Sequence, residues 1–180
     1  MGDIFLERMI KKKMDTKSYL IMAGIGIAAL IAVWAAFFIV FPLTGMPVIA
    51  LLVAVGAIYG GYKLITQINL EYEYSFTNGF VSVDKIINRA SRKRLLSFEC
   101  ASAQEIGEYT KNKAKLDGQS FQTKLFACEY SDGTGAWYMV VKGNKEAGRT
   151  LFVFNSDDEF LDAIKNAIPR PLKFEVFGRN

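Results

Sequence analysis

The stretch "NLEYEYSFTNGFVSVDKI", residues 69–86, decides how the second half of this chain folds. Tyr72, Tyr74 and Phe76 alternate with Glu71, Glu73 and Ser75, the period-two pattern of a half-buried strand. Asn78-Gly79 then supplies the two left-handed residues of a type I′ turn. A two-residue loop sets the register: Phe76 faces Val81, Tyr74 faces Val83, and Tyr72 faces Lys85. The same register puts Glu73 opposite Asp84, an unfavourable pair unless a nearby cation answers it or a bulge shifts it.

Downstream, "KRLLSFEC" reads as a third strand with Leu96, Phe98 and Cys100 on one face. "SAQEI" (residues 102–106) reads as one helical turn and "GEYTKNKAKLDGQS" as a polar loop. Three further strands are expected in "FQTKLFACEY" (121–130), "AWYMVVK" (136–142) and "RTLFVF" (149–154), separated by the turn-like "SDGTG" and "GNKEAG". A helix over 156–168 closes the chain. Ser156 and Glu159 match a capping box, Phe160, Leu161, Ile164 and Ile168 form its apolar stripe, and Pro169 ends it.

Upstream the sequence changes character. From Tyr19 to Tyr62 there is no Asp, Glu, Lys or Arg. That run is too long for one bilayer crossing of about 20 residues and suits two. The expected organisation is a basic amphipathic flank (1–18), transmembrane helices at 19–41 and 47–66 joined by a short turn (42–46), and a β-domain from 67 to 180. The first apolar run exceeds a signal-peptide core, so it reads as retained. Arg8, Lys11, Lys12, Lys13 and Lys17 flank it while the turn carries no cation, which places both termini in the cytoplasm of a cell-membrane protein. Phe5, Leu6, Met9 and Ile10 share one helical face, so residues 3–13 read as an interfacial helix or a plain topogenic flank. Leu6 stands where an N-myristoylation motif needs Ser or Thr.

Small residues recur inside the spans: Gly24, Ala28, Ala32 and Ala36 in the first, Gly56 and Gly60 in the second. Such spacing lets helices approach closely, within the hairpin or in a homodimer.

Two spans, "YEYSFTNGFVSVDK", the basic "RKRLLSFE", "AWYMV" and the closing "AIPR" resemble bacterial membrane proteins bearing pleckstrin-homology (PH)-like domains. More narrowly, the chain is similar to a bacterial two-span family classed as a domain of unknown function. The resemblance implies an α+β fold: an N-terminal helical hairpin, then an antiparallel bent sheet or partly open barrel closed by a C-terminal helix. It implies an anchor and no activity. Phosphoinositide-binding members of the wider fold place cations between the first two strands, where Asn78-Gly79 has none.

The chain has no His, two Cys and a net charge of +4. His-based triads and zinc motifs are excluded, no phosphate-binding glycine loop is present, and no cofactor or metal is expected. No nucleic-acid motif accompanies the small basic excess. The expected role is a non-enzymatic membrane-anchored interaction or scaffold module, its partners the bilayer and another protein. The alternatives are a sensor of anionic lipid surfaces and, last, an enzyme of unrecognised chemistry. Arg89, Arg92, Lys93 and Arg94, together with Lys11, Lys12 and Lys13, are the candidate contact residues.

Overall fold

The computed structural model describes residues 4–142 and 148–178. The residues opening the myristoylation stretch, 1–3, and most of the "GNKEAG" turn, 143–147, lie outside them. The chain divides into two units: residues 14–69, and a second formed from residues 1–13 with 70–180.

The first unit is a helical hairpin. Helix α1 (Thr16–Ala35) opens on Asp15, whose carboxylate accepts from the Ser18 amide at 2.9 Å. It continues through a π turn at Ala36–Val40 into α2 (Phe41–Thr44). Pro42 therefore does not start the turn, as its sequence suggests. It sits in the first turn of α2, directly after the π turn, where its missing N–H is tolerated. The reversal falls on Gly45, at φ 66°, and α3 (Pro47–Thr66) returns. The two helical stretches, Thr16–Thr44 and Pro47–Thr66, have mean hydropathies of 2.5 and 2.0 and are long and apolar enough to cross a membrane.

In the hairpin, one residue of the expected small-residue set, Ala36, is fully buried, and others border an apolar groove. Ala36, Ala50 and Ala54 are buried, and a Cβ on Gly61 would lie 3.3 Å from the Cβ of Ala29. Gly24, Gly56 and Gly60 have open space where a Cβ would be. Gly56 and Gly60 instead line, with Ala28 and Ala32, an apolar groove of about 300 Å³.

The second unit holds two four-stranded sheets. Sheet A, in spatial order β1-β2-β3-β4, consists of β1 (Phe5–Lys11), β2 (Leu70–Thr77), β3 (Phe80–Ile87) and β4 (Ser91–Glu99). The register is Phe76↔Val81, Tyr74↔Val83, Tyr72↔Lys85 and Glu73↔Asp84, and Asn78 and Gly79 have φ of 48° and 89°. Sheet B, in order β5-β7-β8-β6, is built from β5 (Ala103–Glu108), β6 (Thr123–Ala127), β7 (Trp137–Lys142) and β8 (Arg149–Phe154), with β6 parallel to β8. The unit is α+β and its sheets do not close into a barrel.

Tyr74 sits at the centre of the core between the sheets. Its ring meets Phe152 and Phe154 edge-on and Phe160 at a tilt, and its hydroxyl donates to the Ala127 carbonyl. Phe160 and Ile164 belong to α5 (Asp158–Ala167), which packs into the same core. On the other face of sheet B, α4 (Tyr109–Asp117) lays Tyr109 and Leu116 over Tyr138, Val140, Leu151 and Val153. Both faces of sheet B are thus covered, which is why β7 and β8 read as unbroken apolar runs instead of alternating ones.

Several local expectations are corrected. Residues 5–11 form strand β1, not an interfacial helix, and pair with β2 from Phe5↔Thr77 to Lys11↔Glu71. Leu6 and Ile10 turn to the core while Phe5 and Met9 face outward, so the β-domain begins at the N-terminal flank and not at residue 67. "SAQEI" lies at the end of a 3₁₀ turn (Cys100–Ser102) and in β5, and "YTKNKAKLD" is helix α4, not a loop. The closing helix is capped by Asp157, which accepts from the Phe160 amide, while Glu159 turns to Arg8. After Pro169 the chain forms one further helix, α6 (Arg170–Phe177).

Candidate functional site

The outer face of sheet A carries Arg92 and Arg94 of the residues singled out from the sequence, while Lys93 falls in the row of Lys85 and Tyr72. Pairing places Phe5, Thr77, Phe80 and Glu99 in one cross-strand row, and Met9, Glu73, Asp84 and Arg94 in another. Phe5 and Phe80 are 60% and 54% exposed, so two aromatic side chains flank Thr77 at the turn end of the sheet. That end is tied to the chain start by two hydrogen bonds, Ile4 N–H to Asn78 Oδ1 at 3.0 Å and Asn78 N–H to the Ile4 carbonyl at 3.1 Å.

At the opposite end the basic stretch answers the unfavourable Glu73–Asp84 pair. Glu71, Glu73 and Asp84 are buried, at 4%, 6% and 4% exposure. Arg92 Nη2 donates to Glu73 at 2.5 Å, and its Nη1 lies 3.9 Å from Asp84. Arg94 holds Asp84 through two nitrogens, and Arg89 Nε lies 3.5 Å from Glu71. The hydrogen bond it donates to Asp84 raises the Arg94 guanidinium above its ordinary value. A bulge in the β3–β4 pairing is what sets this up. Val83 faces Leu96, yet Asp84 faces Arg94 and not Leu95. The turn between these strands puts Asn88 and Arg89 at φ 49° and 55°, a second left-handed pair built without glycine.

Lys93 stands apart: it is exposed, faces Lys85 and makes no ion pair among the described residues. Lys11 faces Glu71, the Lys12 amide donates to the Leu70 carbonyl, and Lys13 pairs with Glu129 at 2.7 Å while lying over the Tyr130 ring. The contact with Glu129 raises the Lys13 ammonium above its ordinary value. Sheet register therefore gathers Lys11, Lys12 and Lys13 and the Arg89–Arg94 stretch at one end of sheet A. At that end the chain leaves for, and returns from, residues 14–69.

A second concave region went unread in the sequence. Between β5, β7, α4 and α6 lies an open pocket of about 410 Å³. Gly107 forms its floor: a Cβ there would meet Tyr138 at 3.1 Å and Asn112 Nδ2 at 3.3 Å. Its residues were hidden because β5 looked like a helical turn and α4 like a loop; Gly107, in a strand edge opposite Tyr138, was the available signal. Cys100 and Cys128 are buried and free, and burial pushes their thiols up to about 12 and about 11.

The second unit stacks two sheets around a core that helix α5 enters, without a closed barrel, and its class, by family, is a PH-like domain, a class that typically serves as a non-enzymatic interaction module. The chain belongs to the family described as Bacterial PH-like domain (DUF6106), whose family model matches residues 2–174. No curated protein and no solved structure matches it.

Proposed function

We propose that this chain is a membrane-anchored interaction module, with the hairpin held in the bilayer and the two-sheet domain offering the outer face of sheet A to a protein partner in the cytoplasm. One observation carries the reading: β1 precedes the apolar hairpin, β2 follows it, and the two strands pair. Cleavage of the first helix as a leader would remove β1 from the sheet. A single crossing would leave β1 and β2 on opposite sides of the membrane. Their pairing supports a retained segment with an even number of crossings, and the cations before α1 favour the cytoplasmic side. The exposed Phe5 and Phe80, on a face whose buried carboxylates are matched by Arg89, Arg92 and Arg94, favour a protein partner there.

A second reading, contact with an anionic lipid surface, draws on the gathering of lysines and arginines at the end of the sheet where the hairpin departs. Against it, the three arginines are engaged by buried carboxylates, which leaves Lys93 and Lys11 as exposed cations without an ion pair among the described residues. A photo-crosslinking amino acid placed in turn at Phe5, Phe80, Lys93 and Lys113 in the full chain, in cells, separates the readings. The partner reading expects one protein adduct shared by Phe5 and Phe80, absent from Lys113 and abolished by Thr77→Arg. Absence of a protein adduct at both aromatic positions would sink it, and lipid adducts confined to Lys93 would establish the second reading.

A further inference from the structure

Strand β4 lies at an open edge of sheet A. In the order β1-β2-β3-β4 it pairs on one side only, with β3. The flanking hydrogen bonds fall on Ala90, Glu99 and Cys100, and outside the β3 ladder none reaches the backbone of residues 91–98 among the described residues. At nine residues, against eight in β2 and β3, β4 is also the longest strand described, whereas exposed edges are ordinarily kept short.

This edge is cationic on both faces. Ser91, Arg92, Lys93 and Arg94 are all exposed. Arg92 and Arg94 lie on the outer face, opposite Ile86 and Asp84, and Lys93 lies on the other face, opposite Lys85. Glu71, Glu73 and Asp84 balance part of this charge from beneath, being buried. A strand arriving at the edge therefore meets guanidinium and ammonium groups, not carboxylates. The buried carboxylates also orient the cations. Arg94 gives Nε and Nη2 to Asp84, and Arg92 gives Nη2 to Glu73. A guanidinium carries five N–H donors, so each keeps donors to spare in a position already fixed. Cations that only discouraged edge pairing would need no such support.

An open strand edge offers alternate N–H and C=O groups to an added strand. Successive side chains of that strand point to opposite faces and meet their cross-strand neighbours at about 4.5–5.5 Å. Adjacent residues of the added strand thus face Arg92, Lys93 and Arg94 in turn. A second copy of this chain is the wrong occupant, because pairing β4 with β4 sets cation against cation. We infer that the β4 edge accepts, as a fifth strand of sheet A, an extended segment of a partner protein with acidic residues at consecutive positions. The site is the rim of sheet A and not its outer face, so it stands or falls separately from a partner on Phe5 and Phe80.

The probe is a fluorescein-labelled peptide, Thr-Val-Glu-Asp-Glu-Val-Thr, added to the full chain in detergent micelles. Anisotropy reads binding, and hydrogen–deuterium exchange reads the β4 amides. Saturable binding is expected, with slowed exchange across residues 91–95. The same peptide with methylated backbone nitrogens keeps every carboxylate and loses its strand donors, and it should bind at least about tenfold more weakly. Lys93→Glu should weaken binding of the parent peptide about tenfold or more, while Lys113→Glu on α4 leaves it unchanged. Lys93 is exposed and makes no ion pair among the described residues, so its variant keeps the fold. Equal binding of the methylated peptide would reduce the edge to a patch of charge and overturn the inference. Indifference to Lys93→Glu, or unchanged exchange in β4, would overturn it too. Slowed β4 exchange in phosphatidylglycerol nanodiscs but not in phosphatidylcholine ones, with no peptide binding, would assign the edge to lipid and equally overturn it.

Discussion

Deleting residues 2–13 will leave a domain that does not fold cooperatively, although every deleted residue precedes the apolar hairpin. Strand β1 contributes Leu6 and Ile10 to the core between the sheets, and Arg8 bridges to Asp157 and Glu159 at the start of α5. Two partly buried aliphatic side chains contribute about 1–2 kcal/mol each. The ladder to β2, with the Lys12–Leu70 and Asn78–Ile4 backbone bonds, adds roughly 0.5–1.5 kcal/mol per bond. Together these rival the whole stability of a domain, about 5–15 kcal/mol. Residues 67–180 alone should show no sharp melting transition and should be cut rapidly by protease. Residues 4–13 joined to 69–178 through a short flexible linker should restore both the transition and the resistance. A cooperative melt of the 67–180 fragment would refute this.

The second large effect is expected from Arg94→Ala, and a smaller one from Arg92→Ala. Each removes the cation from a carboxylate that stays buried, Asp84 or Glu73, and an uncompensated buried charge costs about 3–5 kcal/mol. Both guanidinium groups reach solvent, at 60% and 57% exposure, so a smaller loss, about 2–3 kcal/mol, is expected for Arg94. Asp84→Asn in the Arg94→Ala background should recover at least about 1 kcal/mol, the mark of direct coupling. Lys93→Ala should fall within about 0.5 kcal/mol of the parent. Thermal and denaturant melts of the full chain in micelles read all four. It follows that replacing Arg92, Lys93 and Arg94 together by Ala perturbs folding before it probes lipid binding.

The reach of the sequence varied with how local each signal was. The β2–β3 register was legible because Asn78-Gly79 and the Tyr72/Tyr74/Phe76 alternation act within one hairpin. The Glu73–Asp84 conflict was legible too, but its resolution depends on a bulge that no residue type in "RKRLLSFE" announces. Strand β1 was not legible. Its apolar residues at 5, 6, 9 and 10 fit a helical face as well as a strand, and its partner β2 begins only after the whole hairpin. Helix α4 hides for a different reason. It anchors through Tyr109 and Leu116 alone, and its solvent side reads as a polar loop. Ser156 and Glu159 had the right spacing for a capping box, yet Asp157 caps and Glu159 serves Arg8, a contact made across the fold. In the hairpin, the repeat of small residues includes the buried Ala36 but not Gly61 and Ala29, which approach closely.

The central claim is that the segments before and after the apolar hairpin fold together on one side of a membrane. Labelling of single introduced cysteines with a membrane-impermeant maleimide in intact spheroplasts tests it most directly. Cys100 and Cys128 stay silent near neutral pH because they are buried and poorly ionised. Leu43→Cys, at the hairpin tip and 80% exposed, should label from outside. Glu7→Cys on β1 and Lys113→Cys on α4 should both label only after permeabilisation. Glu7→Cys and Lys113→Cys reacting from opposite sides would contradict the account.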